Sequence, residues 1–248
     1  MSLLLPGLVI LLVLIFWEIG VRQTEIEKWI LPGPTDIFRS FWQARVLIWD
    51  HSLQTLAESV MGFGIAVVIA VLLATVIDFS DWLRKALYPL LVISQAIPIL
   101  AVAPLFIIWF GYGLAPKVVV TALVCFFPVT VNLADGFRLV DRDMLNLMSA
   151  MGASRSQIFL KVKLPAALPF FFSGLRIAGT YSVMGAVIGE WLGASKGLGI
   201  FMARSSQSFM TDRVFAAIAV IVTLSLGICF LIDCLARIVI PWHYQKST

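Results

Sequence analysis

The sequence predicts an all-α fold, a polytopic membrane protein with about six transmembrane helices, and three observations carry that prediction. The chain is 60% hydrophobic and only 13% charged, against about 25% charged in a soluble domain, and its mean hydropathy is +0.99. The stretch from Ala86 to Pro116 holds no Asp, Glu, Lys or Arg, and a helix needs about 20 mostly apolar residues to cross the hydrocarbon core. The apolar runs are also too long and too continuous for the short alternating strands of a membrane β-barrel.

Taken in order, the first span covers 3–21. Its apolar run from Leu3 to Phe16 has no basic residue before it and no small-residue cleavage pattern, so it reads as an uncleaved span and not a signal peptide. The segment 22–54 is the least apolar. There "LPGPTDIF" forms a proline-rigid turn, and Asp36 can cap a short amphipathic helix containing Phe38, Phe41 and Trp42 that lies on the membrane surface. Further spans follow at 55–77, 86–110, 117–135, 167–192 and 214–240. Trp17, Trp109, Trp191 and Trp242 fall near span ends, where an indole favours the interface. One domain, 1–248, contains everything, with a polar loop at 136–166.

That loop carries Arg138, Arg142, Arg155, Lys161 and Lys163, the densest basic cluster in the chain, and so should be cytoplasmic. Six spans then place both termini in the cytoplasm. The net charge of +4 follows from such loops and does not point to nucleic acid. Cys125, Cys229 and Cys234 lie inside apolar runs without metal-ligand spacing and read as small core residues. His51 and His243 fall outside or at the edge of spans, which argues against an intramembrane hydrolase that would need a base beside its nucleophile. The absence of an internal repeat argues against a secondary transporter of inverted-repeat type.

Within the loop, Met144, Leu147, Met148 and Met151 recur at helical spacing opposite Asp143, Asn146 and Ser149. Gly152 can end that helix in the left-handed conformation. Ser154 and Gln157 fit a capping box for a second helix, and Pro165 with Pro169 should stop and redirect the chain. Two short helices with a sharp corner suit a docking partner better than mere crossing. A loop lying on anionic headgroups is the plainer alternative.

"GASRSQIFLKVKLP" resembles the EAA loop of the inner-membrane permease subunits of ABC importers, with Gly152, Val162, Leu164 and Pro165 at the motif positions. Asn146, Leu147 and Met148 stand where the family has Glu-Ala-Ala, which is a departure. "LPGPTDIF", "SQAIPILAVAPLFIIWFGYG" (94–113), "GLRIA" (174–178), "GEWLGASKGLG" (189–199) and "TDRVFAAI" (211–218) are similar to the nitrate, sulfonate, taurine and bicarbonate branch. The last third is similar to permeases for thiamine pyrimidine precursors, with sulfonate or taurine permeases next.

The resemblance implies a type I importer permease in a bacterial inner membrane. Two copies would form the path, a homodimer being the simplest arrangement, with two ATPase subunits and an extracytoplasmic binding protein. The chain has no G-x-x-x-x-G-K-[ST] phosphate loop, so ATP and Mg would be bound by the partner ATPase, with no cofactor and no catalysis here. Leu147, Met148, Met151, Gly152, Ala153, Arg155, Phe159, Leu164 and Pro165 become the candidates for ATPase coupling, packing against the protein's own spans being the alternative for the apolar ones. Polar groups inside spans are costly in lipid and mark cavities or helix contacts. Ser94, Gln95, Asn132, Thr180, Tyr181, Ser182 and Glu190 are therefore candidates for the translocation path. Asp233 and Arg237, four apart, are expected to pair on the surface of the last span.

Overall fold

A computed structural model describes residues 4–244, and the described residues contain helices and no strand. The membrane-length helices are α1 (Leu4–Gln23), α2 (Pro34–Phe79), α5 (Leu114–Arg138), α8 (Leu164–Trp191) and α10 (Thr211–Val239). Between them lie α3 (Asp81–Ser94), α4 (Ile99–Phe110), α6 (Arg142–Ala150), α7 (Arg155–Ile158), α9 (Leu198–Gln207) and the terminal turn α11 (Pro241–Tyr244). Among the described residues, five helices are long and apolar enough to span, and α3 with α4 makes a sixth if the bent pair counts as one.

Three expectations need correcting. The surface helix expected within 22–54 is instead the start of α2, whose 46 residues run unbroken. At 1.5 Å per residue that is about 69 Å, more than twice the roughly 30 Å hydrocarbon thickness, so part of α2 must project beyond one face. The third span is not straight: α3 and α4 meet at 100°, because Gln95–Pro98 breaks the helix and Pro98 sits in extended conformation as the cap of α4. Finally, Pro165 and Pro169 do not stop the chain. A π-helical turn at Phe159–Lys163 leads into α8, where Pro165 occupies the first turn, a position that tolerates a missing N–H.

The centre of the bundle is α5, which packs against α2 on one side and α8 on the other. Small residues permit this. Ala66, Ala70 and Ala74 form a fully buried stripe on α2. A Cβ on Gly62 would lie 2.5 Å from the Thr121 Cβ, and one on Gly185 would lie 3.0 Å from the Thr121 Cα. Such close backbone approach is how helices gain packing where lipid offers no hydrophobic drive between them. Cys125, Val129, Phe172, Leu175, Ala178, Ile232, Ala236 and Ile240 fill the main core. Cys125 is buried as expected, and Cys229 and Cys234 are half-buried.

Candidate functional site

The loop folds into the expected corner. The Asp141 carboxylate accepts the Asp143 N–H at 2.9 Å and starts α6. At its end Gly152 takes φ +80°, its N–H reaches the Ser149 carbonyl, and the Ala153 N–H reaches the Met148 carbonyl, both at 3.0 Å. These two bonds make a Schellman ending, which satisfies the last carbonyls of a helix. One residue on, Ser154 Oγ accepts the Gln157 N–H at 3.3 Å, while Gln157 Oε1 accepts the Ser154 N–H at 2.8 Å. The capping box is complete.

Beyond the corner the chain is anchored. The Phe159 ring lies 5.2 Å from Phe79 on α2 and 5.4 Å from Phe137 on α5. Lys163 Nζ bonds both Asp78 oxygens at 2.8 Å. Phe159, Leu164 and Pro165 are half-buried in this anchor, whereas Leu147 and Met151 are 61% and 74% exposed. Arg155 and Gly152 are also exposed, and Met148 and Ala153 are intermediate. The candidates thus separate into a presented tip, on α6 and the corner, and a fixed base. Leu160, 59% exposed, joins the tip side and was not singled out from the sequence.

The path candidates divide as well. Ser94 bonds the Leu91 carbonyl at the end of α3, and Gln95 is exposed in the break. Asn132 is half-buried and donates to the Pro128 carbonyl, satisfying the backbone of its own helix. Thr180 and Tyr181 are exposed on α8. Ser182 is fully buried and donates to the Gly179 carbonyl, and Glu190 is fully buried too. The expected Asp233–Arg237 pair is replaced: Asp233 pairs with Arg176 across to α8, and Arg237 lies 6.0 Å over the Tyr244 ring.

Residues 65–242 match the family described as binding-protein-dependent transport system inner membrane component. The chain belongs to that family. It is 39% identical to the formylaminopyrimidine transport permease protein ThiX of Halalkalibacterium halodurans, over 97% of this chain and 96% of that one. It is 37% identical to the riboflavin transport system permease protein RibX of Chloroflexus aurantiacus, over 94% and 88%. Among solved structures, the inward-facing methionine ABC transporter MetNI superposes with a TM-score of 0.65 at 19% identity, covering 79% of this chain and 96% of that one. The protein is therefore a multi-pass inner-membrane permease subunit of an ABC importer.

This permease also holds a polar network that sequence reasoning missed. Lys117 Nζ meets Glu58 Oε1 at 2.8 Å, and Gln54 donates to the same oxygen at 2.7 Å. Glu190 accepts from the Thr55 hydroxyl at 2.6 Å and from the Gly199 N–H at 2.5 Å. The Leu198 N–H reaches Thr55 Oγ1, and the Gly197 N–H reaches His51 Nδ1, both at 2.8 Å. Glu58, Glu190 and Thr55 are completely buried. A Cβ on Gly197 would collide with the Glu190 carboxyl, so a side chain there would close the cradle. The network ties α2, α5, α8 and α9 together at the end of α8 remote from the corner.

Proposed function

We propose that the tip formed by Leu147, Met148, Met151, Gly152, Ala153 and Arg155 docks in a groove of the partner ATPase, which binds ATP and Mg. Phe159, Leu164 and Pro165 transmit the shift from beneath it. One observation supports this reading above others: an exposed apolar helix, closed at both ends by its own caps, stands on a base fixed to α2 and α5 by Phe159 and Lys163. A rigid tip on a fixed base carries a partner's movement into the spans as a rigid-body shift. A loop that merely lay on headgroups would not require that anchoring.

Two copies of the permease, each with one dock, make a symmetric pair around a shared path, the common two-fold arrangement. Both termini lie in the cytoplasm with the corner. Ser94, Gln95, Thr180 and Tyr181 line the path, while Asn132, Ser182 and Glu190 hold the wall behind it. The solute, handed over by an extracytoplasmic binding protein, is a thiamine pyrimidine precursor. The 39% relative names a formylaminopyrimidine and the 37% relative names riboflavin, both nitrogen heterocycles. Proteoliposomes containing the permease, its ATPase and its binding protein test this directly. ATP-dependent uptake of formylaminopyrimidine supports the reading; uptake of taurine or an alkyl sulfonate instead replaces the solute, and uptake without ATP refutes the coupling.

A further inference from the structure

Arg176 and Asp233 form an ion pair between α8 and α10, and its position is unusual. Arg176 stands about 20 Å along the helix axis from both Lys163 and Glu190, at 1.5 Å per residue, and so near the middle of α8. Yet the two side chains remain 42% and 44% exposed. Asp233 lies six residues, about 9 Å, before the end of α10, so the pair sits within both helices toward the end of the bundle that carries the corner. Charges within a span face a bundle interior or a water-filled cavity and not lipid. On the same face of α8, Ser173 and Thr180 are exposed alongside Ile177 and Met184. The Thr180 hydroxyl lies 3.0 Å from Cys229 Sγ on α10, and Arg176 Nη2 donates to the Tyr244 hydroxyl at 2.7 Å.

We propose that the Arg176–Asp233 pair, with Thr180 beside it, is a polar recognition site on the wall of the translocation path. This rests on the reading that Thr180 lines that path. The guanidinium offers donors and the carboxylate offers acceptors side by side. A solute edge with an acceptor nitrogen next to an amino group, as in an aminopyrimidine, complements both at once. A small anion would meet Arg176 favourably but Asp233 unfavourably, so the pair selects against sulfonates.

The test uses the assembled complex in nanodiscs, with the native cysteines replaced and single Thr180→Cys, Met184→Cys, Val68→Cys or Leu72→Cys substitutions. A charged, impermeant thiosulfonate should label the two α8 positions at least tenfold faster than the two exposed apolar positions of α2. Equal rates, or no labelling on α8, overturn the proposal. 4-Aminopyrimidine should slow labelling of Thr180→Cys about tenfold while taurine does not, and Asp233→Asn should abolish that protection while labelling itself persists. Protection by taurine alone, or by neither compound, overturns the recognition site. None of these readouts depends on the corner, so docking of the ATPase stands or falls separately.

Discussion

Replacing Gly152 by valine isolates the backbone conformation of the corner from everything else. A Cβ at Gly152 would meet nothing within 4 Å, so the substitution creates no clash with a neighbouring group. What it does meet is φ +80°, and for a β-branched residue the left-handed region costs roughly 1–2 kcal/mol. That lowers the population of the bent corner about 5- to 30-fold relative to alternatives, at about 1.4 kcal/mol per factor of ten. Binding of the ATPase, measured by titration against the detergent-purified permease, should weaken by up to that factor, with expression and membrane insertion unchanged. Asparagine tolerates this region, so Gly152→Asn should bind within about threefold of wild type. Equal binding by Gly152→Val and wild type would refute the argument, as would Gly152→Asn binding as poorly as the valine variant.

Other consequences follow from packing and charge. Lys117→Met leaves Glu58 buried without its cation, which should cost about 3–5 kcal/mol and lower the unfolding temperature in detergent; adding Glu58→Met should recover much of the loss. Gly62→Ala pushes a methyl onto Thr121 and to within 2.9 Å of the Val118 carbonyl oxygen, an overpacking of roughly 1–3 kcal/mol. Gly64→Ala, with open space around it in the interior of α2, should raise thermal stability slightly, by roughly 0.4–1 kcal/mol. Native mass spectrometry of the purified complex should count two copies of this chain with two ATPases, whereas one copy beside a different permease would replace the homodimer.

How much of this was legible in the sequence differs from part to part. The corner was legible almost in full, because every bond that shapes it joins residues within six positions: Asp141 to Asp143, Met148 to Ala153, Ser154 to Gln157. The length of α2 was not. Trp42, Arg45, Asp50 and His51 look like a surface segment, and tertiary packing overrides that impression by burying Ala44 and Ile48 against Leu198, Phe201, Ala216 and Ala217. A signal was present, since Ser40, Ala44, Ile48, Ser52, Thr55, Ser59, Gly62, Ala66, Ala70 and Ala74 fall on one helical face. The Glu58, Lys117 and Glu190 network could not be read, because its members come from distant helices and no local period links them. The same limit explains Asp233, whose partner on α8 is closer than the arginine four residues along its own helix.

The corner is the proposed place where the ATPase docks, and what it touches decides the mechanism. A photoreactive benzophenone residue placed at Met151, in the assembled complex within native membranes, reports directly on what that tip touches. We expect an adduct with the ATPase from Met151 and none from the same probe at Ser206, on α9 at the remote end. An adduct from Met151 with the binding protein or with lipid alone, and an ATPase adduct from Ser206, would contradict docking at the corner.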